Sequence, residues 1–288
     1  MTDPAKVRGE TLPRLRRRWL GLLGLGITLV TVAAAMFAPW VTPYDPLAQD
    51  LSVALDSPGL QHWLGTDQLG RDMLSRLIFG GRVSLATGLG SVAFGIATGG
   101  TLGLLAGYRG GWVDTLIMRG CDTLLAFPGF VLAAAVVAVL GPGLGNLILA
   151  IGIRAAPVFG RLARNLTLSV RERAYVEAAR AVGVPDTRIL ARHVTPNLLA
   201  PVLALATLRT GTGILTGAAL SFLGIGVAAE TPDWGTMLSL AQPYMRLYPH
   251  LVLFPGLAIV VAVLGLNLLA DDARDAWDPR LRGAGREV

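Results

Sequence analysis

The sequence is short of the residues on which most catalytic and metal-binding chemistry depends. It has one cysteine, Cys121, and three histidines, His62, His193 and His250, in 288 residues. A lone cysteine excludes an internal disulfide and any multi-cysteine metal site. The three histidines fall on segments assigned below to different membrane faces, so no metal site is expected within the chain. Lysine is almost missing: Lys6 stands alone beside 24 arginines. A phosphate-binding loop needs a lysine after its glycines and a strand before them, and neither is present, so no nucleotide is bound that way. No Ser/His/Asp grouping shares a face, and neither an enzyme nor a cofactor-bearing chain is expected. Charge is scarce too, at 15% of residues against 53% hydrophobic. With a mean hydropathy of +0.57, the chain is too apolar for a soluble domain and reads as an all-α, polytopic membrane protein.

Six apolar runs read as spans, approximately 19–37, 84–107, 123–140, 146–160, 198–222 and 251–270. The first is long enough to cross a hydrocarbon core of ~30 Å and exceeds the roughly 7–15 residues of a signal-peptide core, which favours an anchor over a cleaved leader. The chain thus divides into a basic tail (1–18), a first transmembrane helix (19–38), an extracytoplasmic loop (39–83), a five-helix core (84–270) and a second tail (271–288). Within the loop, Leu69, Met73, Leu77 and Ile78 form an apolar stripe beside Arg71, Asp72 and Arg76, as expected of a short helix lying at the interface. With the N-terminus inside, inner segments hold nineteen of the 25 basic residues and outer ones four. That asymmetry predicts both termini in the cytoplasm and attributes the net charge of +6 to topology, not to nucleic acid.

Inside the second span Ser91, Gly95, Gly99, Gly103 and Gly107 recur at four-residue steps, which predicts a face for close helix packing. Arg154 and Arg209, the remaining two basic residues, fall near mid-depth of the fourth and fifth spans. An arginine facing lipid there costs ~3 kcal/mol or more, so each is expected to face a cavity, as a cationic wall of a translocation route, or to pair with a partner's acid. Asp and Glu are missing from mid-span, which argues against a proton- or sodium-coupled carrier.

Residues 170–197 form a basic island between two apolar runs. Tyr175, Ala178, Ala179 and Val182 recur on one helical face, Gly183 supplies a left-handed cap, and Pro185-Asp186 restarts a second short helix that Pro196 should stop. Glu177-Ala178-Ala179, then Gly183, then Pro196 thirteen residues later resemble the EAA loop of ABC importer permeases. His62–Leu85 (HWLGTDQLGRDMLSRLIFGGRVSL) and Asn267–Arg282 (NLLADDARDAWDPRLR) resemble the C-type permease subunit of dipeptide, oligopeptide and nickel importers, so the resemblance covers nearly the whole chain from His62 onward. It implies a type I ABC importer permease fold. In it Glu177, Ala178, Ala179, Gly183 and Pro196 belong to a cytoplasmic coupling helix that docks on an ATPase. It further implies a paralogous permease as heterodimer partner, two ATPases that bind ATP and Mg, an extracytoplasmic substrate-binding protein, and a bacterial cytoplasmic membrane. Di- or oligopeptides are the expected substrate, with nickel or a metal chelate as the alternative. A membrane scaffold is the non-transporting alternative, told apart by whether an ATPase co-purifies through this loop.

Overall fold

A computed structural model describes residues 4–277, with side chains over 19–272; the end of the 271–288 tail lies outside the described residues. Over that range the chain is helical, apart from loops and one isolated bridge between Thr66 and Asp72. Helix α1 (Pro4–Met36) carries the basic segment straight into the first span. Helix α2 spans Met73–Arg109. Helices α3 (Gly111–Ala126) and α4 (Gly129–Leu140) follow, then α5 (Leu144–Arg171) and the two-turn α6 (Ala174–Ala181). Helix α7 runs from Asp186 to Phe222, and α8 (Trp234–Ala241) leads to α9 (His250–Trp277). Among the described residues, five helices are long and apolar enough to cross a membrane, or six if α3 and α4 count as one bent span.

Several expected boundaries move. The interfacial helix does not exist as a separate element. Asp72 caps the backbone N–H of Ser75, the helix starts at Met73, and nothing interrupts it before Arg109. Gly80 and Gly81, weak helix formers, instead make room for Trp234: a Cβ on either would lie 3.0 or 3.2 Å from its ring. The third span, expected to be continuous over 123–140, bends by 92° between α3 and α4. Pro128 is the cause, because its ring drives the preceding residue out of the helical region, and Phe127 is extended (φ −82°, ψ 141°). The fourth span overshoots Gly160 by three turns and ends at Arg171.

Pro196 does not stop a helix either. Leu190–Val194 form a wide turn in which the Thr195 N–H reaches back to the Leu190 carbonyl, and the helix continues into the fifth span. Such a turn shifts the hydrogen-bond register by one residue, and the missing N–H of Pro196 is tolerated at the first turn after it. A second wide turn, Ile96–Gly100, sits in α2. Four residues turn a regular helix by ~400°, so a four-residue ladder drifts by ~40° per step. The slower rotation of the wide turn offsets part of that drift. Gly95 therefore faces Ala155, Gly99 faces Ala156, Gly103 faces Gly160 and Gly107 faces Arg164 and Thr167, all on α5.

Helix α5 is central, packing against α2, α3, α4 and α7, while α1 lies outside on α9 and α2. Among the described residues, buried side chains form three clusters. One joins Met73, Leu85, Ile214, Trp234 and Leu251 at the end bearing α8, and another runs from Val92 and Phe159 to Val176, Ile189 and Val194 at the end bearing α6. The third packs α4 on α5 through Val137, Leu147 and Ile151.

Candidate functional site

The 170–197 loop is a bracket packed on the core. Val176 and Ala179 are buried against the core together with Ile189 and Val194, which ties α6 to α5 and α7. Of the four residues read onto one face, Ala179 is buried, while Tyr175, Ala178 and Val182 point outward, with Val182 79% exposed. The reason is length: with two turns and an anchor at Val176 and Ala179, the helix has no core left for the residues on either side. Glu177 and Pro196 are exposed as well. Gly183 adopts φ +78°, and the N–H groups of Gly183 and Val184 return to the carbonyls of Arg180 and Ala179, closing the helix in the manner that favours glycine.

A polar clamp that sequence reasoning missed holds this bracket to α2. The Tyr108 hydroxyl donates to Asp186 at 2.5 Å, and the Arg180 guanidinium lies 5.0 Å from the Tyr108 ring centroid. Arg171 donates to the Gly107 carbonyl at 2.8 Å. Beside it Arg164 makes a paired contact with Asp114 at 2.5 and 2.6 Å, and Arg161 reaches Asp122. The partners are 39 to 78 residues apart, so no local pattern announces them.

Arg154 and Arg209 line one cavity of about 270 Å³ between α2, α3, α5 and α7. Arg154 donates to the Thr216 hydroxyl at 3.1 Å and passes over Gly129, where a Cβ would collide with its side chain. Arg209 Nε is buried without a hydrogen-bond partner among the described residues.

At the end bearing α8, Arg71, Asp72 and Arg76, expected beside the apolar stripe of an interfacial helix, are buried instead. Asp67 accepts from Arg71 at 2.7 Å and lies 3.4 Å from Arg76, which is 1% exposed and donates to the Pro46 carbonyl at 3.0 Å. His62 pairs with Asp72 at 2.9 Å. Asp233 caps α8 through the N–H groups of Gly235 and Thr236 and accepts from Ser84, while the Trp234 indole donates to the Leu77 carbonyl. Burial pushes the Asp233 carboxyl above the usual carboxylate range, against the lowering effect of these donors. Among the described residues no group of three or more His, Cys, Asp or Glu side chains is placed to hold a metal ion.

A bundle of five or six spans around an arginine-lined cavity, with a small helical bracket braced at one end, defines a membrane transport subunit. The comparisons make the class specific. Residues 99–283 match the model of the binding-protein-dependent transport system inner membrane component, and residues 9–58 match the N-terminal transmembrane domain of oligopeptide transport permease C. The chain is 44% identical to the dipeptide transport system permease protein of Alkalihalophilus pseudofirmus, over 95% of this chain and 90% of the relative. It is 46% identical to the glutathione transport system permease protein of Escherichia coli, over 98% and 95%. The fold matches a chain of the MetNI methionine ABC transporter in an inward-facing form, with TM-score 0.58 and 20% identity over 72% of this chain and 98% of that one. The chain belongs to the family of binding-protein-dependent transport system inner membrane components. It is a multi-pass, non-catalytic permease subunit of an ABC importer, and ATP hydrolysis resides in partner subunits.

Proposed function

We propose that this permease serves a peptide importer, forms half of the pathway with a paralogous permease, and is driven through α6. Two relatives named for dipeptide and for glutathione, itself a small peptide, support the substrate class. A single observation carries the coupling role: α6 presents Glu177, Ala178 and Val182 outward while its other face is built into the core that α5 and α7 share. An exposed face in which small and apolar residues flank Glu177, on a braced support, is what a motor subunit needs, since a loose loop would absorb its displacement. Closure of the ATPases around ATP would move α6 and rock the spans, and hydrolysis would return them. Such coupling requires an element with different contacts in the two states. Both termini and α6 are on the cytoplasmic side in this reading, with the substrate-binding protein outside.

The test uses the complete importer in proteoliposomes. A cysteine replacing Ala178 should cross-link to an ATPase subunit, and Glu177→Arg should leave basal ATP hydrolysis in place while abolishing its stimulation by peptide-loaded binding protein. Cross-links that reach only lipid, or full stimulation in Glu177→Arg, would refute the docking role. Absence of ATP-driven uptake for every di- and oligopeptide tried would refute the substrate class.

A further inference from the structure

Among the described residues, the cavity between α2, α3, α5 and α7 is lined by two arginines, Arg154 and Arg209, and by neither Asp nor Glu. Guanidinium groups stay charged under all ordinary conditions, so burial cannot neutralise them as it can a lysine or a carboxylate. Two fixed positive charges at the middle of a membrane protein need an anion in the space they face. Thr216 takes one Arg154 nitrogen as a hydroxyl acceptor, which orients that guanidinium without compensating its charge. Arg209 Nε is buried and unpartnered among the described residues. The rest of the wall is mixed: Ser91 and Thr212 bring hydroxyls, while Leu124 and Phe127 bring apolar surface. Gly129, first residue of α4, also lines the cavity and puts a helix start, whose first N–H groups lack partners within the helix, on the same wall.

We infer that this cavity is a transit site that reads the carboxylate of the passing substrate, with Arg154 and Arg209 as its paired cationic ligands. The inference rests on the peptide reading above and deepens it. Every peptide carries a C-terminal carboxylate whatever its side chains are, so a site that grips this group accepts many sequences. Arginine suits the task because its planar fork matches a carboxylate with two parallel hydrogen bonds. Leu124 and Phe127 supply non-directional contact for a side chain of any shape. The 92° bend at Phe127-Pro128 builds the site: it brings Gly129 over Arg154, where any side chain would displace the guanidinium.

The experiment compares a dipeptide with its C-terminal amide in the reconstituted complete importer. Arg154→Gln and Arg209→Gln should each lower ATP-driven uptake of the free acid at least tenfold and uptake of the amide less than threefold. Arg154→Lys and Arg209→Lys, which keep the charge but lose the fork, should recover only part of the loss, and all four should co-purify with the other subunits at wild-type ratio. A second measurement dispenses with the binding protein. In a Thr212→Cys variant, millimolar dipeptide should slow labelling by a thiol reagent while the amide does not, and adding Arg209→Gln should remove the protection. Equal losses for acid and amide, unchanged uptake, or loss of the partner permease from the Gln variants would overturn the inference, the last because the arginines would then be pairing with the partner's acid. These results differ from failure of the peptide reading itself, in which the wild-type importer moves neither peptide.

Discussion

At the residue scale, the most demanding positions in this permease are glycines against backbone. A Cβ on Gly103 would meet the Gly160 carbonyl oxygen and lie 2.8 Å from its carbon and from Gly160 Cα, whereas a Cβ on Gly100 meets only Ile96 Cγ2 at 3.7 Å. The two glycines are three residues apart on one helix, yet only the first is a backbone contact. Gly103→Ala should separate α2 from α5 and cost about 1–3 kcal/mol, the usual penalty of overpacking. Gly100→Ala should be neutral. Thermal melting of the two purified complexes checks this, and equal melting temperatures would show that the interface is looser than the structure has it. The buried Asp67–Arg71–Arg76 group belongs to the same scale, since its residues look in sequence like the polar side of a surface helix. Burial becomes legible only once Pro46 and the turn before Met73 are known to fold over them.

At the element scale, α6 matters less for its own sequence than for its bracing. Tyr108 closes the gap between the end of α2 and the loop through one hydrogen bond to Asp186, a residue 78 positions away. Tyr108→Phe keeps the ring under Arg180 and removes that bond, costing ~1 kcal/mol for a partly exposed hydrogen bond to a charged acceptor. Under the proposed coupling the expected outcome is a bracket that yields under load: substrate moved per ATP should fall at least twofold while subunit composition stays the same. Simultaneous measurement of uptake and hydrolysis in proteoliposomes checks it, and an unchanged ratio would mean that the apolar anchor at Val176, Ala179 and Ile189 carries the force alone. The wide turns belong here as well. One keeps the glycine ladder of α2 aimed at α5, and the other carries α7 past Pro196, so both leave an unbroken helix across a sequence irregularity.

At the scale of the whole molecule, the proposed orientation puts the long loop after α1 outside and α6 inside. The single cysteine makes this testable, because Cys121 is buried at 8% exposure and gives little background labelling. A cysteine at Leu60, 99% exposed, should react with a membrane-impermeant maleimide in intact cells. One at Val182 should react only after permeabilisation. The reverse pattern would invert the topology and place α6 on the wrong side for an ATPase.

Composition and hydrophobic runs alone determined that this is a membrane-embedded helical protein, because 15% charge and long apolar stretches leave no soluble alternative. Arginine placement determined the expected sidedness, and the EAA pattern with the flanking motifs pointed to the family. These features are local or additive along the chain, so one dimension suffices to read them. Tertiary structure alone decided where helices break or continue. Phe127-Pro128 bends a span, while Gly80, Gly81 and Pro196 do not, since Trp234 and a wide turn compensate for them. It also decided which faces are buried. Val176 and Ala179 anchor α6, and Arg154 and Arg209, 55 residues apart, meet in one cavity. The physical reason is shared: these outcomes depend on contacts between segments far apart in the chain, whose energies no local pattern encodes.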